Sequence, residues 1–83
     1  MTSANHTPDH YTPISCDRYS ELELAILRRR RLRLRWAEGN VIEEDSVLPL
    51  DLQTRAGVEF LTCRRGPDTL ELRLDQIRHW EAA

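Results

Sequence analysis

The spacing of hydrophobic residues changes near residue 30. Between Tyr19 and Ile26, apolar side chains recur at helical i, i+3 and i+4 positions, which predicts one buried helix face. Asp17 and Ser20 are both suitable helix N-caps, and acidic residues in the first turn suit the helix dipole. We therefore predict a helix over about residues 18–29.

Beyond the predicted helix, residues 31–36 alternate strictly between Arg and apolar residues. A helix would place Leu32 and Leu34 about 200° apart, whereas a strand places them on one face. The segment therefore predicts a strand, and residues 37–40 have the composition of a hairpin turn leading into a second strand that begins at Val41.

Two later segments, residues 58–63 and 69–77, are also typical of strands, and the turn-forming residues 64–68 separate them. Pro49 argues against a central strand around it. One helix followed by four or five short antiparallel strands predicts a mainly β fold whose sheet bends strongly into a small barrel. The predicted core comprises Leu32, Leu34, Trp36, Val58, Phe60, Leu70, Leu72, Leu74 and Ile77, with Ile14, Leu22 and Ile26 packed on it.

The 83 residues are enough for one domain. Residues 1–13 contain a single large apolar side chain, Tyr11, so we expect a flexible tail followed by one domain over residues 14–83. No secretion signal or membrane-spanning run is recognisable, which favours the cytoplasm. In that compartment we expect Cys16 and Cys63 to be reduced thiols.

The sequence contains no motif that predicts catalysis. The three histidines have no metal-ligand spacing, and the chain has no nucleophile elbow, phosphate-binding loop or dinucleotide fingerprint. We therefore expect no catalytic residues, no metal, no cofactor and no small-molecule substrate. The protein is expected not to be an enzyme.

The chain has 12 basic residues, all of them Arg, against 14 acidic ones. Residues 28–35 alone have a net charge of +6, whereas the segments on both sides are acidic. This band could bind RNA phosphates, or it could be a solvated face whose cations pair with carboxylates of neighbouring strands. The basic residues of the band are Arg28, Arg29, Arg30, Arg31, Arg33 and Arg35. For Arg31, Arg33 and Arg35, the candidate carboxylates are Glu43, Glu71 and Asp75.

The start of the predicted helix is the other candidate surface. Asp17, Glu21 and Glu23 combine with Tyr19 to provide carboxylates beside an aromatic side chain, a mixture suited to docking on a basic protein groove. Ordinary helix capping accounts for the same acidic residues, so the residues alone leave both interpretations open.

Residues 11–25 read Y-T-P-I-S-C-D-R-Y-S-E-L-E-L-A. They resemble the opening motif Y-x-P-I-x-C-D-x-Y-D-x-L-E-L-A of the Rho-binding antiterminator family, also called the Rof or YaeO family. The later segments Val58-Glu-Phe-Leu61 and T-L-E-L-R-L-D-Q-I at 69–77 resemble the family's V-E-Y-L and R-E-L-R-L-D-x-I. The resemblance thus extends from Tyr11 to Ile77.

This resemblance implies a small Sm-like β-barrel preceded by an N-terminal helix. It also implies a protein that binds the OB-fold RNA-binding domain of termination factor Rho, competes with RNA for the primary RNA site and reduces termination. By position, Asp17, Tyr19, Glu21 and Glu23 become the expected Rho contacts, and Arg55 is a further candidate. The alternatives are an Sm-like RNA-binding module that uses the band at 28–35, or a scaffold subunit of another complex.

Overall fold

The computed structural model describes residues 14–83, so the predicted tail at 1–13 lies outside the described residues. One helix and five antiparallel strands follow one another, and the sheet order is β4-β3-β2-β1-β5. A single 3-10 turn, Leu74–Gln76, separates the last two strands. The elements are α1 (Cys16–Leu27), β1 (Leu32–Glu38), β2 (Val41–Arg55), β3 (Val58–Arg65), β4 (Asp68–Arg73) and β5 (Ile77–Ala82).

The predicted mainly β fold with an N-terminal helix and five antiparallel strands is confirmed. The predicted closure of the sheet into a barrel is not confirmed. β4 and β5 form the two edges of the sheet, and no ladder joins them in the part of the chain that the structure describes. The observed architecture is therefore an open five-stranded sheet with one helix packed on it.

The sheet is organised around β2, the longest strand, which changes partner along its length. Residues 41–47 pair with β1, and β3 pairs with the second half of the strand. Pro49 lies just after the change, where the β2–β3 register shifts before Asp51. At a bulge, one residue does not donate its N–H to the hydrogen-bonded ladder, so proline, which has no N–H, is tolerated there. The prediction that Pro49 excludes a central strand is therefore wrong.

The helix begins earlier than predicted because Ser15, rather than Asp17 or Ser20, is its N-cap. The backbone of Ser15 is extended, and its hydroxyl accepts a hydrogen bond from the backbone N–H of Arg18 at 3.2 Å. The helix ends at Leu27, two residues before the predicted end. Within residues 14–83, no helix is long and apolar enough to cross a membrane.

The inward faces of the strands form one hydrophobic core. Most of the predicted core residues are buried, but Ile14, Ile26, Phe60 and Leu70 are only partly buried. Leu61, which was not predicted, is completely buried next to Phe60. The register explains the difference, because Leu61 lies opposite Leu52 and Leu72 and all three side chains share the core face. The core cluster consists of Leu22, Ala25, Leu32, Leu34, Trp36, Val47, Leu61, Cys63, Leu72, Leu74, Ile77 and Trp80.

The segment predicted as one strand over 69–77 is interrupted. The Arg73 side chain donates two hydrogen bonds to Asp75, at 3.0 and 2.6 Å, and its backbone N–H donates to Gln76 at 3.2 Å. These bonds accompany a 3-10 turn in which Leu74 remains buried. The turn frees residues 77–82 to pair with β1 as β5, which brings Trp80 into the core.

We predict that Leu61→Ala and Phe60→Ala differ clearly in their effect on stability. Leu61→Ala should lower the free energy of unfolding by about 2–5 kcal/mol, because it leaves a cavity in a closed core. Phe60→Ala should lower it less, because that side chain lies on the partly exposed face. Urea unfolding of both variants tests the assignment, and a larger loss for Phe60→Ala would contradict the observed register.

The two cysteines should differ in reactivity. Cys16 is exposed and Cys63 is buried, and burial raises the pKa of the Cys63 thiol from 9.0 to about 11. The thiolate is the reactive form, so at about pH 8 an alkylating reagent should label Cys16 quickly and Cys63 only on unfolding.

Because the folded pKa of Cys63 is higher than its unfolded pKa, the protonated Cys63 stabilises the fold below about pH 9. That contribution should disappear as the pH rises towards 11.

Candidate docking surface at the start of the helix

The expected contact residues lie on both sides of α1. Leu22 and Ala25 are buried and define the face of the helix that lies against the sheet. With about 100° per residue, Glu21 lies on one flank of this face, whereas Tyr19 and Glu23 lie on the other. The acidic residues at the helix start therefore have different surroundings and different roles.

The first flank is attached to β5 through Trp80. The indole Nε1–H of Trp80 donates a hydrogen bond to Glu21 Oε1 at 3.0 Å, and the Arg18 guanidinium lies 3.7 Å from the centre of the indole ring. A cation over an aromatic face is attracted by the ring electrons. Glu21 and Arg18 therefore hold the helix on the sheet through the same indole.

The second flank carries an aromatic ring among carboxylates. Tyr19 and Glu23 border a shallow surface cavity of about 290 Å³ together with Asp51 of β2. Partial burial raises the pKa of the Tyr19 phenol, and the negative charges of Glu59, Glu23 and Asp51 raise it further. We call Tyr19, Glu23, Asp51 and Glu59 the acidic patch. Its chemistry suits a positively charged protein surface with room for one aromatic side chain.

Asp51 and Glu59 were not predicted as site residues. They come from β2 and β3, and only the packing of α1 over these strands brings their charges near Tyr19. A sequence reading could have found them only by predicting the shift in register at Pro49, which is not encoded in a local pattern.

Besides Glu21, two expected contact residues lie outside the acidic patch. Asp17 is exposed in the first turn and makes no ion pair within residues 14–83. Arg55 ends β2, donates to Glu71 at 2.6 Å and lies 4.2 Å from the centre of the Phe60 ring. The structure therefore does not group Arg55 with the residues of the helix.

The basic band divides into two parts. Arg33 and Arg35 are exposed and share Glu44 of β2, at 3.0 and 3.5 Å, whereas Arg31 has no ion pair among the described residues. Glu44 lies directly opposite Arg35 in the register. The predicted partners Glu71 and Asp75 pair instead with Arg55 and Arg73. The prediction of exposure was correct, but the predicted partners were wrong. Glu71 lies on β4, which does not neighbour β1, and Asp75 lies in the 3-10 turn. Glu43 lies opposite Trp36 in the register and forms no ion pair within the described residues.

Within residues 14–83, no group of three or more His, Cys, Asp or Glu side chains could hold a metal ion. The described surface presents an aromatic ring among carboxylates along one flank of α1 and four exposed arginines directly after the helix. Charged side chains of this kind are suited to contacts with macromolecules of opposite charge.

Comparison with known proteins identifies the class as a regulator of transcription termination. Residues 13–83 match the family described as "Modulator of Rho-dependent transcription termination (ROF)". The chain belongs to this family. It is similar to Protein rof of Escherichia coli strain K12 and of Shigella flexneri, with 39% identity over 69 residues in both cases. That segment covers 83% of this chain and 79% of each relative.

A solved structure shares the fold. Proteasome accessory factor B/C (PafBC) of Arthrobacter aurescens superposes with a TM-score of 0.72 at 22% sequence identity. The match covers 92% of this chain but only 13% of the PafBC chain. The arrangement of helix and sheet therefore also occurs as a small part of a much larger protein.

The surroundings of Tyr19 predict a measurable titration. In a Tyr11→Phe background, Glu23→Gln and Asp51→Asn should each lower the pKa of Tyr19 towards its usual value, because each removes a negative charge beside the phenol. Ultraviolet absorbance against pH reports this ionisation. Glu38→Gln, which alters an exposed acid at the end of β1, is the matched control. An equal shift in the control would show that net charge, not the acidic patch, sets the pKa.

Proposed function

We propose that this protein binds termination factor Rho through the acidic patch and Asp17, blocks the primary RNA-binding site and thereby reduces termination. Membership of a family of modulators of Rho-dependent termination implies Rho as the partner. The main support for the acidic patch as the Rho-binding surface is the placement of Tyr19 among the carboxylates of Glu23, Asp51 and Glu59.

The physical basis is competition for positive charge. A protein groove that binds RNA presents cationic side chains and ring-stacking positions to the strand. Carboxylates of the acidic patch can form ion pairs with these cationic side chains, and the Tyr19 ring can stack where an RNA base would otherwise stack. The proposed target is the N-terminal OB-fold domain of Rho, so this protein and RNA would exclude each other.

The residues have separate roles in this proposal. Tyr19 and Glu23 are central, because they belong to one flank of the helix and adjoin Asp51. By helical spacing Asp17 lies on the same flank as Glu21, so it would contact Rho separately from the acidic patch. Glu21, which the family resemblance also assigns to the interface, is proposed to act partly by holding α1 on β5 through Trp80. Arg55 would contribute only at the periphery.

The proposed mechanism requires neither catalysis nor a bound cofactor. We infer a non-enzymatic protein of the cytoplasm that needs no cofactor and no small-molecule substrate, because regulation by occlusion requires only a surface. We further propose an Sm-like fold, in which the open sheet bends strongly towards a barrel without pairing of its edge strands. The division of β2 between β1 and β3 supports this, because a strand shared by two ladders can turn the sheet at the point of change.

The proposal predicts that Glu23→Lys weakens displacement of RNA from Rho. The substitution places like charge against a basic groove, and a central contact should lose about 1–2 kcal/mol, or about 5–30-fold in affinity. Fluorescence anisotropy of labelled RNA on Rho, titrated with each protein, measures this displacement. Tyr19→Ala should weaken displacement similarly, and higher salt should slow association.

Glu38→Lys is the matched control, because it makes the same charge change at an exposed acid on the β1–β2 hairpin. It should displace RNA like the unmodified protein. Circular dichroism and thermal unfolding must show that both variants keep the fold. Equal displacement by Glu23→Lys and the unmodified protein would remove Glu23 from the interface. Failure of the unmodified protein to displace RNA would refute the blocking mechanism.

A further inference from the structure

Four consecutive arginines follow α1, and the proposed Rho interface does not use them. Residues 28–31, which we call the arginine turn, are all exposed. None of them forms a salt bridge or a side-chain hydrogen bond within the described residues, whereas Arg33 and Arg35 share Glu44. The arginine turn is therefore the uncompensated part of the basic band.

The backbone conformation of the arginine turn is unusual for arginine residues. Arg29 N–H donates to Ile26 O at 3.2 Å and Arg30 N–H donates to Ala25 O at 2.9 Å, the bonds of a Schellman motif. Arg29 has a φ of +53°, the left-handed conformation in which glycine is usual. An arginine thus occupies a position where glycine would be less strained.

We infer that the arginine turn binds the phosphate backbone of single-stranded RNA. Guanidinium groups are always charged and match phosphate geometry, and none of the four arginines forms an ion pair within the described residues. The choice of RNA among polyanions rests on the proposed function, in which RNA is displaced from Rho beside this protein. The cavity of the acidic patch extends to Leu27, so the acidic patch and the arginine turn lie next to each other and not at opposite ends of the helix.

The contact should be to phosphates and not to bases. Arg28 and Arg30 border a cleft of about 250 Å³ beside Trp80, but Trp80 is only 8% exposed and already stacked against Arg18. No ring at the turn is therefore available for base stacking. Glu21 and Glu81 also border the cleft and oppose a bound anion. We expect weak binding without sequence preference, with a slope of log affinity against log salt of about −3 for four phosphate contacts.

The first experiment measures anisotropy of a labelled oligouridylate with the full chain and without Rho. Arg28→Gln/Arg31→Gln should lower RNA affinity by about tenfold and make the salt slope shallower by about 1.4. Arg64→Gln/Arg78→Gln is the matched control, because it removes the same charge from two exposed arginines outside the turn. Equal losses in both variants would show that only net charge matters and would overturn the inference.

The second experiment separates RNA binding from stability. Arg29→Gly should raise the melting temperature by about 4–8 °C, because glycine adopts a positive φ without strain, and should weaken RNA binding about threefold. Ala56→Gly is the control, because Ala56 has a φ of +51° and carries no charge. It should raise the melting temperature and leave RNA affinity unchanged. Unchanged RNA affinity in Arg29→Gly would remove Arg29 from the site.

Polyglutamate of comparable charge is the competing ligand in the same assay. If it displaces the oligouridylate more effectively than unlabelled oligouridylate does, the turn recognises acidic protein and the RNA inference is wrong. All of these measurements omit Rho. Their failure would therefore leave the proposed blocking of Rho standing, and failure of the Rho assay would leave the RNA result standing.

Discussion

The change of partner along β2 is the constraint on which the rest of the structure depends. Its first half completes a ladder with β1, its second half completes one with β3, and Pro49 lies in the second ladder just after the change. Because α1 packs over this strand, Asp51 reaches the flank of the helix that carries Tyr19. The acidic patch therefore exists because one strand belongs to two ladders.

Trp80 completes the support of the helix from the other side. Its indole lies in the core, donates to Glu21 and is covered by Arg18, so a single side chain links the last strand to the first turns of α1. Glu21 shows that an acidic residue near a helix start can serve a structural role while its neighbours remain open to a partner. Glu23, two positions later, has no such link to β5 and faces the cavity beside Asp51.

Charge is separated along the helix. Asp17 lies in the first turn of α1, at the positive end of the helix dipole, and arginines follow the last turn, at the negative end. The same separation that suits the helix creates two surfaces of opposite sign. In the proposed mechanism, the negative surface competes for the RNA site of Rho and the positive one contacts the RNA.

Local sequence patterns were enough to predict α1 and β1, because the burial of their side chains follows from the spacing of residues close together in the chain. The apolar spacing of α1 and the alternation of β1 predicted both elements, and Leu34 and Trp36 are buried as expected. Tyr19 and Glu23 could likewise be selected from the sequence, because they are one helical turn apart. The family motif at residues 11–25 rests on consecutive residues and needs no tertiary information to be recognised.

Only the tertiary structure decided which strand faces entered the core and which distant charges met. Phe60 and Leu61 are both good β-formers, and the register with Leu52 and Leu72 selected Leu61. Glu21 meets Trp80 across 59 positions, and Asp51 approaches Tyr19 from another element. The physical reason is that propensity and periodicity act over a few residues, whereas strand register is set by packing between segments far apart in the chain.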